Sequence, residues 1–199
     1  VDIDGWDVRE IEVSDAVSSN RHCKMFPWEY FVADTSIYID GHIEFGPKFC
    51  EFLDFICNQN YHFAAMQHRL GGDIADEFVR NIENSKLNAS QIIDVIRANL
   101  KMNMPSVECG LLLRLHDSEK VKSHANQWWN YFTKVCPRDQ LSVQSAACDV
   151  GLEITILKQN FSNRSIFNIV GHKHNILKVI AMRIKIALRV IISGTFIVR

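Results

Sequence analysis

Residues 36–45 read Ser-Ile-Tyr-Ile-Asp-Gly-His-Ile-Glu-Phe, and this stretch decides the predicted fold. Its apolar, β-branched and aromatic beginning is typical of a buried strand, and that strand ends at Asp40-Gly41-His42. We expect Gly41 to let the chain turn where a side chain would not fit. The sequence therefore predicts a carboxylate and an imidazole at the carboxyl end of a strand, which is the edge where open α/β sheets bind ligands.

Asp40 and His42 have the residue types of a divalent-cation site. A carboxylate oxygen is a hard ligand and an imidazole nitrogen is a borderline one, so both suit such an ion. The alternative is that Asp40 and Gly41 only supply the backbone geometry of a turn.

The composition bounds the class of protein. The chain has 199 residues, of which 47% are hydrophobic and 23% charged, as in one globular domain or one domain with a tail. A net charge of −1 gives no overall positive field, so we expect no nucleic-acid partner. Six cysteines without metal-site spacing favour a reducing compartment. The sequence shows no signal peptide. It opens on Val1 without a Met and in mid-pattern, so we expect its amino terminus to be incomplete.

Hydrophobic spacing alternates between strand and helix periods along the chain. Strands are expected at 6–13, 36–40, 61–66, 107–115 and 152–157, with a short run at 43–45. Helices are expected at 21–30, after Pro47, at 73–100 with a break at 88–90, at 117–133 and from Arg138, with Ser90 a candidate cap after the break. This alternation indicates an α/β sheet flanked by helices.

Several segments also occur in one order along the chain. They are Arg-His-Cys-Lys-Met-Phe-Pro at 21–27, Ser-Ile-Tyr-Ile-Asp-Gly at 36–41, Gln-His-Arg at 67–69, Glu-Cys-Gly-Leu-Leu-Leu-Arg-Leu-His-Asp at 108–117, Trp-Trp at 128–129 and Arg-Asp-Gln-Leu-Ser at 138–142. Over roughly residues 5–160 this set resembles the glycosyltransferase-like family that includes plant mucilage-related proteins and enzymes of bacterial capsule and lipopolysaccharide clusters.

The resemblance implies a GT-A-type, Rossmann-like domain over residues 1–160, with a mixed, mostly parallel sheet. The first nucleotide-binding strand of the family is expected to be missing before Val1, and residues 161–199 are expected to form a separate tail. The implied activity is transfer of a sugar from a nucleotide-sugar donor to a hydroxyl of a glycan-type acceptor, with Mn or Mg as cofactor.

The resemblance also implies the residues that hold the cation and the donor phosphates. Asp40 and His42 resemble the metal-binding Asp-X-Asp of GT-A enzymes, with Gly41 between them and His42 in place of the second Asp. His172 and His174 are the candidates for a late histidine ligand, and the alternative is a loop with two free histidines. The residues expected to approach the nucleotide or its diphosphate are Arg21, Lys24, His68 and Arg69. The alternatives are a solvated helix face for the first two residues and a surface turn for the other two.

A further group is expected around the sugar and the acceptor. Glu108 and Gly110 match a strand-end turn that lines the sugar pocket in the family, although Glu108 could instead cap a helix or turn. Arg138, Asp139 and Gln140 resemble the Asp-Gln segment near the sugar, and Asp139 is the first choice for the catalytic base, with Glu108 as a second catalytic carboxylate. The alternative is that Asp139 caps its helix.

Trp128 and Trp129 fit either stacking on a sugar ring or packing in the core, and core packing is the better reading of adjacent aromatics on a helix.

The end of the chain is basic and apolar. There is no Asp or Glu after Glu153, and Lys178, Lys185 and Arg189 fall on one face of a predicted helix within 176–198. Such a helix can lie on an anionic membrane surface or dock on the domain, and its charges argue against a membrane span. We therefore expect a cytoplasmic protein with peripheral membrane contact, or a Golgi-lumenal one if the chain is plant-like.

Two other functions fit parts of the sequence. A non-catalytic remnant or interaction domain would explain the expected truncation before Val1 and the presence of His42 in place of an Asp. The intact segments at 108–110 and 138–140 oppose this function. A metal-dependent hydrolase could use Asp40, His42 and the late histidines, but no second carboxylate adjoins Asp40 and no HExxH-type pair is present.

Overall fold

Helices and strands alternate along residues 15–169, the part of the chain that the computed structural model describes. The helices are α1 (Ala16–Met25), α2 (Phe49–Cys57), α3 (Ile74–Glu83), α4 (Ala89–Arg97), α5 (Glu119–Lys134) and α6 (Asp139–Asp149). The strands are β1 (Thr35–Ile39), β2 (Ile43–Phe45), β3 (Phe63–Gln67), β4 (Val107–Leu115), β5 (Thr155–Leu157) and β6 (Phe167–Ile169). The expected strand at 6–13 and the expected helix at 176–198 lie outside the described residues.

The main sheet has the strand order β1-β4-β3-β5. The predicted α/β architecture, a mixed sheet flanked by helices, is confirmed. The mostly parallel pairing is wrong, because β4 runs antiparallel to both β1 and β3, and only β3 and β5 pair in parallel. After β3 the chain passes through α3 and α4 and returns to the edge that it left, where Asp73 and Pro105 form a β-bridge. A strand that enters at that edge must run antiparallel to β3, and hydrophobic spacing carries no information about this direction.

Both faces of β4 are buried, which explains its long apolar sequence. On one face Val107, Cys109 and Leu112 pack in a cluster with residues of α1, α5 and α6. On the other face Leu111 and Leu113 pack with residues of α2, β2 and β6. The sheet is therefore the centre of a three-layer domain.

The prediction that Trp128 lies in the core is confirmed. Its side chain is 1% exposed in the first cluster, and its indole N–H donates to the Asp139 carbonyl oxygen at 2.9 Å. Trp129 is partly buried against the same cluster, where its ring lies 5.5 Å from that of Phe132.

The expected boundary between domain and tail at residue 160 falls inside packed structure. Phe161, Ile166 and Phe167 are buried in the second cluster, and β6 pairs with β2 in antiparallel register. The backbone N–H of Gly46 also donates to the Ile166 carbonyl oxygen at 2.7 Å. Residues 161–169 therefore belong to the folded domain rather than to a separate tail.

Three local expectations are corrected. The helix expected at 21–30 begins earlier and ends at Met25, and Pro27–Glu29 forms a 3₁₀ turn. Asn88, not Ser90, caps α4: its side chain accepts from the Gln91 N–H while Gln91 accepts from the Asn88 N–H, each at 2.9 Å, which is a capping box. A side chain would fit at Gly41, since a Cβ there would meet no atom within 4 Å.

No helix within residues 15–169 combines the length and the apolar character needed to cross a membrane.

The packing of residues 161–169 can be tested with two glycines. We expect Gly46→Ala to lower the free energy of unfolding by about 1–3 kcal/mol, because its Cβ would lie 2.6 Å from the Ser165 backbone oxygen. Gly41→Ala is the matched control and should change that free energy by less than about 0.5 kcal/mol. Urea unfolding followed by circular dichroism measures both. Equal stability of the two variants would contradict the close approach of these residues to Gly46.

Candidate functional site

A cavity of about 250 Å³, which we call the site cavity, opens at one edge of the main sheet. The predicted site residues that line it are Arg21, Lys24, Asp40, His42, His68, Arg69, Glu108, Gly110, Arg138, Asp139 and Gln140. Gly41 is not among the lining residues, and His172 lies outside the described residues. The structure therefore brings together segments as far apart in the sequence as Arg21 and Gln140.

The topology explains this convergence. β1 and β3 end at the edge where β4 begins, because β4 runs in the opposite direction. At that edge the Asp40 N–H donates to the Gly110 carbonyl oxygen at 2.9 Å. The register between β3 and β4 also shifts between Ala65 and Met66. Such a bulge is common beside functional sites, because it redirects side chains at the end of a strand.

A buried ion pair joins α1 to α6 at the cavity wall. The Lys24 ammonium lies 2.6 Å from Asp139 Oδ2, and the Arg21 Nε lies 3.2 Å from the same oxygen. Lys24 is only 1% exposed. Arg114, which is fully buried in β4, donates to the Lys24 carbonyl oxygen and so fixes the end of α1 from beneath.

These charges determine the protonation state of Asp139. Burial alone would raise the pKa of its carboxyl group, but the charges of Lys24 and Arg21 outweigh burial and hold the pKa below its usual range. Asp139 is thus ionised and strongly paired. A carboxylate of low pKa accepts a proton poorly, so the geometry makes Asp139 a weaker general base than the sequence suggests.

Asp139 is not the cap of α6, which was the alternative role that the sequence allowed. Arg138 occupies the N-cap position of α6 without a side-chain capping bond, and Asp139 is the first helical residue. Its Oδ1 accepts from the Gln140 N–H at 3.2 Å, and a negative charge at this position is favoured by the helix dipole. The Gln140 side chain instead donates to the Val107 carbonyl oxygen at 3.3 Å and ties α6 to β4.

Asp40 has a hydrogen-bond partner, Tyr38, that was not among the predicted site residues. The Tyr38 hydroxyl donates to Asp40 Oδ1 at 2.6 Å. Burial, together with this hydrogen bond and the charge of Asp40, raises the pKa of Tyr38 above its usual range, so the phenol stays protonated. The signal was available, because residues two apart on a strand share a face and Tyr38 precedes Asp40 by two.

The described residues do not complete a divalent-cation site. Asp40 and His42 both line the cavity, but among residues 15–169 no group of three or more His, Cys, Asp or Glu side chains could hold a metal ion. The Lys24 ammonium lies 4.0 Å from Asp40 Oδ1, so a positive charge of the protein already faces this carboxylate. A role for Mn or Mg here stays a prediction.

A second polar network is centred on Glu77 of α3, and the sequence analysis did not predict it. Its Oε2 lies 3.4 Å from His68 Nε2 and accepts from Arg80 Nε at 3.0 Å, while its Oε1 accepts from Asn81 Nδ2 at 2.7 Å. Burial would raise the pKa of Glu77, but the hydrogen bonds from His68, Arg80 and Asn81 dominate and lower it to about 2. The polar residues at 77, 80, 81 and 84 form one helical stripe, which is the signal that could have identified this wall.

Glu108 lies within β4, near its beginning, rather than in a strand-end turn or a cap. Its Oε1 accepts a hydrogen bond from the backbone N–H of Arg69 and also lies beside the Nε of Arg69, and both distances are 3.1 Å. Within the described residues, Oε2 accepts no hydrogen bond and forms no ion pair. Gly110 follows two residues later, and a Cβ there would approach the Phe161 ring and the Ile43 side chain at 3.1–3.2 Å, so its small size lets these groups pack against β4.

The site cavity carries more positive than negative side chains. The basic residues that line it are Arg21, Lys24, Arg69, Arg80, Lys86 and Arg138, and the acidic ones are Asp40, Glu77, Glu108 and Asp139. This excess of two positive charges lies inside a protein whose overall net charge is −1. A concave surface with that balance attracts anionic ligands.

The buried pair of Lys24 and Asp139 can be tested by substitution. We expect Lys24→Met and Asp139→Asn each to lower the free energy of unfolding by roughly 3 kcal/mol or more, because each leaves a buried charge without its partner. The double variant should lose at least about 1 kcal/mol less than the sum of the two single losses. Chemical denaturation measures all three.

Lys122→Met is the matched control, because Lys122 pairs with Glu119 on the exposed face of α5, 3.3 Å apart. Its loss should be below about 1 kcal/mol. Losses at Lys24 and Asp139 as small as this one would contradict a tightly coupled buried pair.

Comparison with protein-family models, with curated proteins and with solved structures finds no match to this chain.

Proposed function

We propose that this chain is a glycosyltransferase domain of GT-A type that binds a nucleotide-sugar donor in the site cavity and transfers its sugar to a hydroxyl of a glycan-type acceptor. One observation carries the proposal. Segments that resemble the motifs of that family, which are distant in the sequence, line one polar cavity at the edge where β1 and β3 end. This is the edge at which α/β sheets bind their ligands.

The charge and size of the cavity support a diphosphate ligand. Lys and Arg side chains bind phosphate oxygens through charge-assisted hydrogen bonds, and the cavity has an excess of them. Its volume of about 250 Å³ is slightly below the range of roughly 300–1,000 Å³ for sites that enclose a drug-sized ligand. We therefore assign to it the diphosphate and the sugar of the donor rather than the whole nucleotide sugar.

The proposed reaction follows from these assignments. The acceptor oxygen attacks the anomeric carbon of the donor, the bond from that carbon to the diphosphate oxygen breaks, and the nucleoside diphosphate leaves with the bonding electrons. The proton of the acceptor hydroxyl passes to a carboxylate. Positively charged side chains around the diphosphate stabilise the negative charge that develops on it.

Glu108 is the better candidate for the proton acceptor. Asp139, the first choice from the sequence, is held by Lys24 and Arg21, which lowers its pKa and its basicity. Among the hydrogen bonds and ion pairs of residues 15–169, Glu108 is engaged at Oε1 alone, by Arg69, whose side chain is 49% exposed. We assign Asp139 the role of holding Lys24 and Arg21 in place.

The cofactor and partners complete the proposal. Mn or Mg, if bound, would neutralise charge on the leaving diphosphate, with Asp40 and His42 as the ligands that the sequence predicts. A glycan or glycoconjugate is the proposed acceptor, and no nucleic-acid partner is proposed. Peripheral membrane contact rests on the predicted helix at 176–198, which lies outside the described residues.

A second candidate is a binding domain that retains the fold without catalysing transfer. The observation that favours it is the pairing of Asp139, because a carboxylate saturated by two cations has a structural role that needs no chemistry. Such a domain would bind the same nucleotide sugar without transferring its sugar to an acceptor.

Nucleotide titration followed by a turnover assay separates these functions. We expect calorimetry to detect binding of UDP or GDP, in the presence or absence of MnCl₂, and we expect donor consumption with the matching nucleotide sugars. Glu108→Gln should keep nucleotide binding and lower turnover by roughly 10²–10⁴-fold. Glu119→Gln, on the exposed face of α5, is the control and should change neither property.

Absence of nucleotide binding to the folded chain would overturn the proposal. Binding without turnover of any donor, with Glu108→Gln indistinguishable from the unsubstituted chain, would leave the binding domain as the function.

A further inference from the structure

The charges of the site cavity are divided between two halves. In the first, which we call the α1 half, the cations Arg21 and Lys24 face the anions Asp40 and Asp139. Both cations contact Asp139 Oδ2, and Lys24 also lies 4.0 Å from Asp40. The formal charges of this half therefore balance, and its cations are already engaged by carboxylates of the protein.

The second, which we call the α3 half, is not balanced. Its cations are Arg69, Arg80, Lys86 and Arg138, and its anions are Glu77 and Glu108. Arg80 pairs with Glu77 and Arg69 pairs with Glu108. Neither Lys86 nor Arg138 forms an ion pair with any carboxylate of residues 15–169. The positive excess of the whole cavity therefore lies at these two side chains.

Arg138 is oriented by a neutral group. Its Nε donates to Asn81 Oδ1 at 3.1 Å, and Asn81 is itself held because its Nδ2 donates to the backbone oxygen and to Oε1 of Glu77, each at 2.7 Å. Asn81 is only 2% exposed, so this support is rigid. The two Nη nitrogens of Arg138 make no hydrogen bond to the described part of the protein and remain able to bind a ligand.

Lys86 is held by the same residue as Arg138, because the Lys86 backbone N–H donates to the Asn81 carbonyl oxygen at 2.9 Å. Partial desolvation lowers the pKa of its ammonium group, and the positive charges of Arg138 and Arg69 lower it further, against the opposing effect of Glu77. Like charges that face one cavity repel each other, and an anion bound between them removes that cost. A planar guanidinium and an ammonium that line one cavity suit the oxygens of a diphosphate.

We propose that Lys86 and Arg138 form the subsite that binds the diphosphate of the ligand, and that Arg21 and Lys24 hold Asp139 and the end of α1 instead of contacting phosphate. The inference rests on the proposed function for the identity of the ligand as a nucleoside diphosphate sugar. It removes Arg21 and Lys24 of α1 from the predicted phosphate site and places that site in the half of the cavity that also contains Arg69. The chemistry recognised is a diphosphate, whether free or carried by a nucleotide.

The test is titration of the chain with inorganic pyrophosphate and with UDP and GDP, at constant ionic strength. Lys86→Gln and Arg138→Gln should each weaken pyrophosphate binding by at least about tenfold, since each removes a charge-assisted contact. Lys86→Arg keeps the charge and should restore most of the affinity. Lys122→Gln, which removes an exposed lysine on α5, is the control and should leave the affinity unchanged.

The outcomes separate this inference from the proposed function. Nucleotide binding that survives Lys86→Gln and Arg138→Gln unchanged would overturn the subsite and leave the proposed function standing. Pyrophosphate binding that depends on Lys86, without any nucleotide binding, would support the subsite and overturn the nucleotide-sugar donor. Equal weakening by Lys122→Gln would mean that only overall charge matters, which also overturns the subsite. If Arg138→Gln fails to fold, Lys86→Gln decides the question, because Lys86 is exposed.

Discussion

The structure depends on one buried contact, the pairing of the Lys24 ammonium with the Asp139 carboxylate at 2.6 Å. Burial of either charge alone would cost several kcal/mol, so each is tolerated because the other is present. Arg114 supports the pair by donating to the backbone of Lys24, and the indole of Trp128 supports it by donating to the backbone of Asp139. The ends of α1 and α6 are thereby fixed over the edge of the sheet, and these two helix ends form one wall of the site cavity.

The same pair determines where a ligand finds positive charge. Because Asp139 engages both Lys24 and Arg21, and Asp40 supplies the second negative charge, the α1 half of the cavity is neutral. The opposite wall is built on Glu77, which binds Arg80, while the side chain of Arg138 donates to the neutral Asn81. A negatively charged ligand is therefore attracted to the α3 half. Electrostatic balance within the protein, rather than the number of basic residues in a motif, decides which cations are available to a ligand.

Sequence patterns predicted the elements of the fold better than their arrangement. β1 and β4 were predictable because runs of β-branched and apolar residues form buried strands, whereas the antiparallel direction of β4 depends on the path of α3 and α4, which hydrophobic spacing does not encode. The order of the motifs identified most of the residues that line the cavity. Tyr38, Glu77 and Lys86 were missed. Strand and helix spacing could have pointed to Tyr38 and to the stripe that contains Glu77, whereas the importance of Lys86 comes from neighbours that only the folded chain supplies.

In the proposed complex a nucleoside diphosphate lies in the site cavity with its phosphates against the α3 half. A crystal structure of the chain with bound UDP can decide this. We expect phosphate oxygens about 3 Å from Lys86 Nζ and the Nη nitrogens of Arg138, with the contacts of Lys24 and Arg21 to Asp139 retained. Ordered nucleotide whose phosphates instead displace Asp139 from Lys24 and Arg21, or that binds outside the cavity, would contradict it.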